Sequence, residues 1–527
     1  MRLFTRVQHM GAAALLLAVS IFLSRFMGLV RDKVISWHFG ASAEADIYFA
    51  AFVIPDFLNY LLAGGYFSIT LIPLLAAAFE RDADDGWRFF SAAFWWVAMA
   101  IGSLTAVAWW FAPQLAHLAA PGFSEVESAR LARFLRIVLP AQACFLPGAC
   151  LTALLYHRRQ FTVPALTPLV YNGSIIAGGL LMLDRGMEGF CWGVLGGAAL
   201  GSLLLPLLAV RSGGLSLRPV LRHPQLRRFV LLALPLMLGQ SIVVLDEQFV
   251  RVFGSMAGEG AVSLLNYARR IMLVPVGVVA QAAGVASYPF LAALAAKGDG
   301  AAFDETMRTA LRNTLVVILP LALWMAAAAE PTLRLIFQGG DFATTETLAA
   351  TPLLQIMLCG VAFWAVQQVV GRGFYARQDT VTPAVVGTVA TLTTLPLYVI
   401  GAKSLGATGV ALAGTCGVVV YTVLLTLVWR RRHGGGGLEG SLGAALRSLA
   451  VCVPAMAGAW FCATSLPAWA RAIVPLPPAI EALGALGVSG GVFGVVYLAL
   501  ACRFAPDVAA PVVGRVRGVL KRLTGRG

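Results

Sequence analysis

Charge is what this sequence lacks. Charged residues make up 12% of the chain, against about a quarter in a soluble globular protein. No stretch long enough for a separate soluble domain breaks the apolar segments. Acidic residues are the scarcer sign, 25 against 39 Lys and Arg. The eight cysteines include no CxxC and lie inside apolar segments, so they read as small packing residues rather than disulfides or metal ligands. The six histidines are scattered, and no His-rich metal site is visible. There is no GxxxxGK[ST], no HExxH, and no GxSxG at a strand-to-helix turn. These absences argue against an ATP-driven pump and an enzyme. Work must come from a gradient, the membrane potential or consumption of product on the far side.

What is present is apolar surface. Hydrophobic residues make up 59% of 527, and surface of that kind needs lipid to face. A bilayer core takes roughly 20 apolar residues per helix. About fourteen such stretches occur, at 10–30, 46–78, 89–111, 131–156, 163–183, 189–210, 228–254, 262–294, 311–330, 348–374, 383–401, 407–429, 445–465 and 479–502. The expected class is an all-α polytopic membrane protein. The first stretch, behind Arg2 and Arg6, reads as an uncleaved span rather than a signal peptide, because its apolar run continues past Arg25 to Val30. The second and eighth are too long for one straight span. Each holds an internal Pro and Gly (Pro55, Gly64, Gly65; Pro275, Gly277, Gly284) and should be bent or broken, which is tolerated only where freed backbone groups face protein or a wet cavity.

The net charge of +14 sits between spans rather than along a soluble basic stripe, so nucleic acid is not the expected partner. Arg158 and Arg159, the 211–228 connection, Arg430 to Arg432 and the tail from Arg503 all fall on one side if both termini are cytoplasmic. Within the chain, Tyr156, Arg158, Pro164 and Ala165 line up without gaps on Tyr375, Arg377, Pro383 and Ala384. With small gaps, Pro55 matches Pro275 and Pro73 matches Pro289. A six-helix repeat has even parity, so the halves should share one orientation, related by a pseudo-two-fold along the membrane normal. The expected division is an N-terminal lobe, 1–212, a C-terminal lobe, 213–432, and an appended helix pair with a basic tail, 433–527. The Gly434 to Gly437 run is the linker before the last two helices.

Charge inside a span costs about 2.5–3.5 kcal/mol, so the few intramembrane charges are the informative ones. Arg25, Arg31 and Asp32 lie in the first span; Asp46 and Asp56 flank the start of the second; Asp246, Glu247 and Arg251 lie in the seventh; Arg269 and Arg270 lie in the eighth. Arginine's planar fork suits bidentate phosphate contact. Arg25 and Asp32, seven apart, share a helix face. Two readings stand: cations offered to a diphosphate, or ion pairs with the neighbouring carboxylates. A metal-dependent membrane enzyme is disfavoured, because Asp246 and Glu247 are adjacent and point about 100° apart on a helix.

These residues resemble a known family. Ser24, Arg25, Gly28, Arg31 and Asp32, then Phe39, Gly40, Asp46, Phe49, Phe52, Pro55, Gly65, Phe67 and Pro73, look like the opening of the MurJ/MviN lipid II flippases of the multidrug/oligosaccharidyl-lipid/polysaccharide (MOP) exporter superfamily. Leu265, Asn266, Tyr267, Ala268 and Arg270 followed by Pro275 and Gly277, and Tyr375 to Pro383 with Asp379, Thr380 and Thr382, resemble two further signatures. The likeness runs in order over roughly residues 10 to 430.

The resemblance implies two six-helix lobes around a V-shaped cationic cavity, and two extra helices whose groove holds a polyprenyl tail. It implies a substrate made of an undecaprenyl diphosphate bearing a sugar-peptide, moved by alternating access from the cytoplasmic to the outer leaflet of a bacterial plasma membrane for cell-wall synthesis. The substrate residues it implies are Arg25, Arg31, Asp32, Asp46, Asn59, Arg269 and Arg270. No cofactor is implied. Sodium or the membrane potential is the candidate drive, and Asp246, Asp379, Thr391 and Thr394 are the oxygens available for a cation. The partners are the lipid substrate and membrane lipids, and the expected state is a monomer.

The sequence departs from the family pattern in places. Asn59 and Tyr60 stand where many members carry Arg, Gly64 replaces a frequent Glu, Arg269 stands for Asp, and Leu273 for Glu or Gln. A different polyprenyl-diphosphate oligosaccharide or an amphipathic drug is therefore the alternative cargo.

Overall fold

The computed structural model describes residues 9–63, 66–211, 218–241, 245–473, 477–506 and 509, without the side chains at 10, 14, 60–69, 234–247 and 466–473. Among these residues the chain is helical, with one isolated bridge, Gly339 to Phe342. It forms two compact units, Met1–Ser263 and Leu264–Gly527.

The first unit holds α1 (Met10–Phe39), α2 (Ala43–Ala50), α3 (Val53–Ala63), α4 (Tyr66–Arg81), α5 (Ala83–Trp110), α6 (Ala112–Ala119), α7 (Glu125–Val138), α8 (Gln142–His157), α9 (Thr162–Leu181), α10 (Glu188–Gly197), α11 (Leu205–Arg211), α12 (Pro224–Ser241) and α13 (Leu245–Gly254). The unit boundary falls within α14 (Ala261–Pro275). The second unit continues with α15 (Gln281–Lys297), α16 (Gly300–Ala327), α17 (Ala329–Ile336), α18 (Thr344–Cys359), α19 (Val361–Ala376), α20 (Val381–His433), α21 (Ser441–Ile473) and α22 (Pro478–Phe504).

Eleven helical stretches among the described residues are long and apolar enough to cross a membrane. The sequence led us to expect about fourteen; 46–78 is divided, 383–401 and 407–429 run on as one helix, and 228–254 includes residues outside the described ones. The 46–78 stretch is divided among α2, α3 and α4. The Gly64–Gly65 pair expected to break it lies outside the described residues. The 262–294 stretch passes through a π-helical segment, Val276–Ala280, directly after Pro275, where proline has removed a backbone donor. α20 is 53 residues long, about 80 Å at 1.5 Å per residue, far more than a bilayer core of about 30 Å. It reverses at Gly406, whose φ of 60° is open to glycine and strained for other residues. A Cβ built on Gly409 would lie 2.0 Å from the Gly401 carbonyl oxygen. On a straight helix those residues would stand about 12 Å apart, so α20 contains two spans folded back on each other.

Apolar side chains such as Leu15, Phe22, Trp110, Leu181 and Leu392 are exposed, as lipid-facing residues are. With no hydrophobic drive between helices in lipid, small residues decide where backbones meet. Gly189, Gly193 and Gly197 form an i, i+4, i+8 stripe on α10, and a Cβ at Gly193 would come within 2.6 Å of the Ser174 carbonyl on α9.

The repeat seen in sequence recurs in backbone geometry. Arg159 (φ 57°) and Gln378 (φ 63°) are the non-glycine residues with positive φ among the described residues. They occupy matched places. Arg159 N–H donates to Tyr156 O (3.0 Å) and Gln160 N–H to Leu155 O (2.9 Å); Gln378 N–H donates to Tyr375 O (3.0 Å) and Asp379 N–H to Phe374 O (3.0 Å). Left-handed non-glycine residues cost about 1–3 kcal/mol each. Their recurrence at one register argues against chance similarity between Ala- and Leu-rich helices.

Candidate functional site

In the first unit a polar cluster forms where α1, α2 and α9 meet. Arg31 donates from Nε (3.0 Å) and Nη2 (2.9 Å) to Asp32 Oδ1, and from Nη1 to Asn172 Oδ1 (3.4 Å). Asp32 is fully buried. Asn172 is oriented by donating to the Pro168 carbonyl (3.0 Å) and Ser24 Oγ (3.4 Å). Gly28 faces that amide: an added Cβ would sit 4.0 Å from its oxygen, an ordinary contact. The buried ring of Tyr48 closes the cluster against Phe52 (5.1 Å between centroids). All three guanidinium nitrogens of Arg31 are thus engaged within the unit. Arg25, two turns earlier on α1, is exposed.

Asp46 is buried on α2, held by the Ser263 backbone N–H (2.7 Å) and the Ser263 hydroxyl. It caps the start of α14 as a carboxylate caps any helix N-terminus, satisfying an orphan N–H and complementing the dipole. Ser42 begins this arrangement by capping α2 through the Ala45 N–H (3.4 Å). Asn59 is half-buried on α3. One turn earlier, Asp56 receives Arg251 Nη1 at 2.7 Å, and Arg251 also reaches Gln248 (3.3 Å). For Arg31 and Arg251, the ion-pair reading of the sequence is the arrangement seen.

In the second unit Arg269 and Arg270 are both half-buried on α14, and the Arg269 guanidinium lies 5.8 Å from the Trp364 ring centroid. Of the oxygens considered for a cation, Asp379 does not meet the two threonines. Asp379 caps α20, accepting from Thr382 N–H (2.9 Å) and Oγ1 (2.6 Å), and from Arg432 Nη1 (3.0 Å). Thr391 and Thr394 lie 12 and 15 residues further along α20, roughly 18 Å or more away. The Thr394 hydroxyl is spent on the Ala390 carbonyl (2.9 Å). Asp246 belongs to α13, with its side chain outside the described residues. Among the described residues no group of three or more His, Cys, Asp or Glu could hold a metal ion.

Partial burial disfavours the Asp379 carboxylate, but the Thr382 hydrogen bonds and the Arg432 charge outweigh it and hold its pKa below the ordinary 3.8. A depressed carboxylate pKa contributes stability that is complete above the unfolded value and fades as pH falls through the folded one. Hydrogen exchange at the Thr382 amide should therefore stay protected down to about pH 4 and lose protection below it. Asp379→Asn should remove that pH dependence.

Sequence reasoning missed Asn172 and Ser263. Asn172 carried a signal, an amide inside an apolar span; a lone serine carries none.

The family described as lipid II flippase MurJ matches residues 35–476. A probable lipid II flippase MurJ of Rhizobium meliloti (strain 1021) is 30% identical over 426 residues, 78% of this chain and 79% of the relative. The lipid II flippase MurJ of Burkholderia cenocepacia is 30% identical over 432 residues, 79% and 83% of the two chains. Among solved structures, a lipid II flippase MurJ in an inward closed conformation superposes with a TM-score of 0.76 at 22% identity, covering 94% of this chain and 99% of that one. An inward-facing multidrug resistance MATE transporter of the MOP superfamily gives 0.67 at 14% identity, covering 81% and 99%. This multi-pass helical membrane protein, matched over 35–476, belongs to the MurJ lipid II flippase family.

Proposed function

We propose that this chain translocates lipid II, an undecaprenyl diphosphate bearing a sugar-peptide, from the cytoplasmic to the outer leaflet of a bacterial plasma membrane. It acts as a monomeric secondary-type transporter rather than an enzyme, with both termini cytoplasmic. Alternating access moves the lobes, 1–212 and 213–432, while 433–527 contributes the appended helix pair and basic tail. The family match across 35–476 is the observation that carries this reading.

In this reading Arg25, Arg269 and Arg270 compensate the diphosphate, and Arg31, Asp32, Asp46 and Asn59 shape the surface it meets. Arginine's fork gives bidentate phosphate contact in a low-dielectric setting. The test is rescue of a flippase-depleted cell, with labelled lipid II accessibility as the direct readout. Wild type should rescue. Arg25→Ala and Arg270→Ala should fail to rescue while remaining in the membrane at wild-type levels. Failure of wild type would overturn the function; full rescue by both variants would overturn the residue assignment.

Asn59 favours a second reading, since a neutral amide stands where many relatives carry a cation. There the cargo is another polyprenyl-diphosphate oligosaccharide. Competition between headgroups for the purified protein separates the two, and a drug exporter would ignore diphosphate altogether.

A further inference from the structure

The paired helices α8 and α19 share one register from end to end. The offset that sets Tyr156 against Tyr375 also sets Gln142–His157 against Val361–Ala376. On that register Phe145 matches Trp364, Ala149 matches Gln368 and Ala153 matches Arg372. Ala153 is fully buried in the apolar core of the first unit, so the shared scaffold needs no cation at this place. The paired prolines Pro73 and Pro289 likewise set Ile72, which packs against that core, opposite Tyr288. Arg372 and Tyr288 are additions of the second copy, and they meet.

Trp364, Gln368 and Arg372 recur at i, i+4 and i+8 and share a face of α19. That face packs on α15 at Gly284, where an added Cβ would lie 3.5 Å from the Gln368 carbonyl oxygen and 3.6 Å from Arg372 Cγ. The Arg372 guanidinium ends 5.8 Å from the Tyr288 ring centroid, and Arg269 lies at the same distance from Trp364. Two guanidinium–ring pairs therefore stand along α19, their α19 members about 12 Å apart along the axis. An arginine one turn from a helix end can simply reach for lipid headgroups. Arg372 instead lies half-buried along α15.

Other guanidiniums of this unit are committed to carboxylates: Arg377 to Asp304 (3.8 Å), Arg432 to Asp379 (3.0 Å) and Arg334 to Glu330 (2.8 Å). Among the described residues no carboxylate pairs with Arg372. A ring shields one face of a guanidinium and leaves its in-plane N–H groups, the ones that make bidentate phosphate contact. We propose that Arg372 is a further diphosphate-contacting residue, which takes the lipid-linked headgroup on the cytoplasmic side of Arg269. This rests on the flippase reading and deepens it. In the orientation proposed above the α19–α20 turn is cytoplasmic, so an outward-moving headgroup meets Arg372 before Arg269. A residue at the way in governs capture, and its loss is felt at limiting rather than saturating substrate.

The test uses the purified full chain in nanodiscs, with undecaprenyl diphosphate and undecaprenyl monophosphate as binding probes and lipid II translocation as the transport readout. Arg372→Ala should weaken diphosphate binding about tenfold and narrow its margin over the monophosphate. It should raise the half-saturating lipid II concentration, with the saturated rate and thermal unfolding near wild type. Arg372→Lys should restore only part of the affinity, because an ammonium lacks the planar fork. Arg312→Ala, which removes an exposed cation from α16, should change none of these. Should Arg372→Ala fail to fold, Arg372→Gln, which keeps the stem along α15, carries the same comparison. Unchanged diphosphate affinity overturns the proposal. So does an equal loss for both probes or in Arg312→Ala, since either marks general surface charge. Wild type that translocates lipid II no better than Arg372→Ala at limiting substrate rejects this inference alone. Wild type that ignores both lipid II and undecaprenyl diphosphate rejects the flippase reading with it.

Discussion

Arg31→Ala is expected to lose about 3–5 kcal/mol of stability, seen as a steep fall in thermal midpoint and membrane abundance. The physical reason is the carboxylate left behind. Asp32 is fully buried and accepts from Arg31 Nε and Nη2. Removing one partner of a buried pair takes the nearest counter-charge from the other in a medium that solvates it poorly. Replacing both, as Arg31→Met with Asp32→Asn, should recover much of the loss, because no uncompensated charge remains. Arg25→Ala is the contrast. Arg25 is exposed on the same helix, so its removal should leave folding intact and impair transport alone. A wild-type melting curve for Arg31→Ala would overturn the structural assignment and leave its guanidinium for the substrate.

Gly193→Leu is expected to cost about 3 kcal/mol or more by forcing α9 and α10 apart. A Cβ at this position would lie 2.6 Å from the Ser174 carbonyl oxygen and 2.7 Å from Ile175 Cα. Both are backbone atoms of α9 and cannot rotate away. Gly193→Ala should show the smaller part of the effect, and leucine the rest. Gly196 supplies the control: an added Cβ there meets nothing within 4 Å, so Gly196→Leu should be tolerated. Detergent-solubilised thermal unfolding measures all three. Equal stability of Gly193→Leu and Gly196→Leu would show that the close approach does not hold the helices.

Much of the fold could be read in advance because hydropathy is a local sum. Roughly twenty consecutive residues settle whether a segment crosses lipid, and no distant contact is needed. Pro275 announced an irregularity, and a π-helical segment follows it. The register linking Tyr156 to Tyr375 announced a repeat, and the same left-handed turn closes both copies. The span count was harder. Gly406 joins two spans into what is formally one helix of 53 residues, while α2 to α4 divide one stretch among three.

The site was legible as a set of residue types, and less so as a set of partners. A short list of charges inside apolar runs marked Arg31, Asp32, Asp46, Asp56 and Arg251. Spacing did not pair Arg251 with Asp56, 195 residues earlier, or Asp46 with Ser263, 217 residues later. Nor did it show that Asp379 spends its oxygens on Thr382 and Arg432.

Sequence alone determined that the chain is a helical membrane protein, that an internal repeat builds it, and which family it resembles. Each of these depends on composition over short windows or on the order of motifs. The tertiary structure decided which guanidiniums are committed: Arg31 is held by its own neighbour and by an amide from α9, and Arg251 by Asp56. Those outcomes depend on which side chains distant segments bring within about 4 Å of one another, a quantity no local pattern encodes.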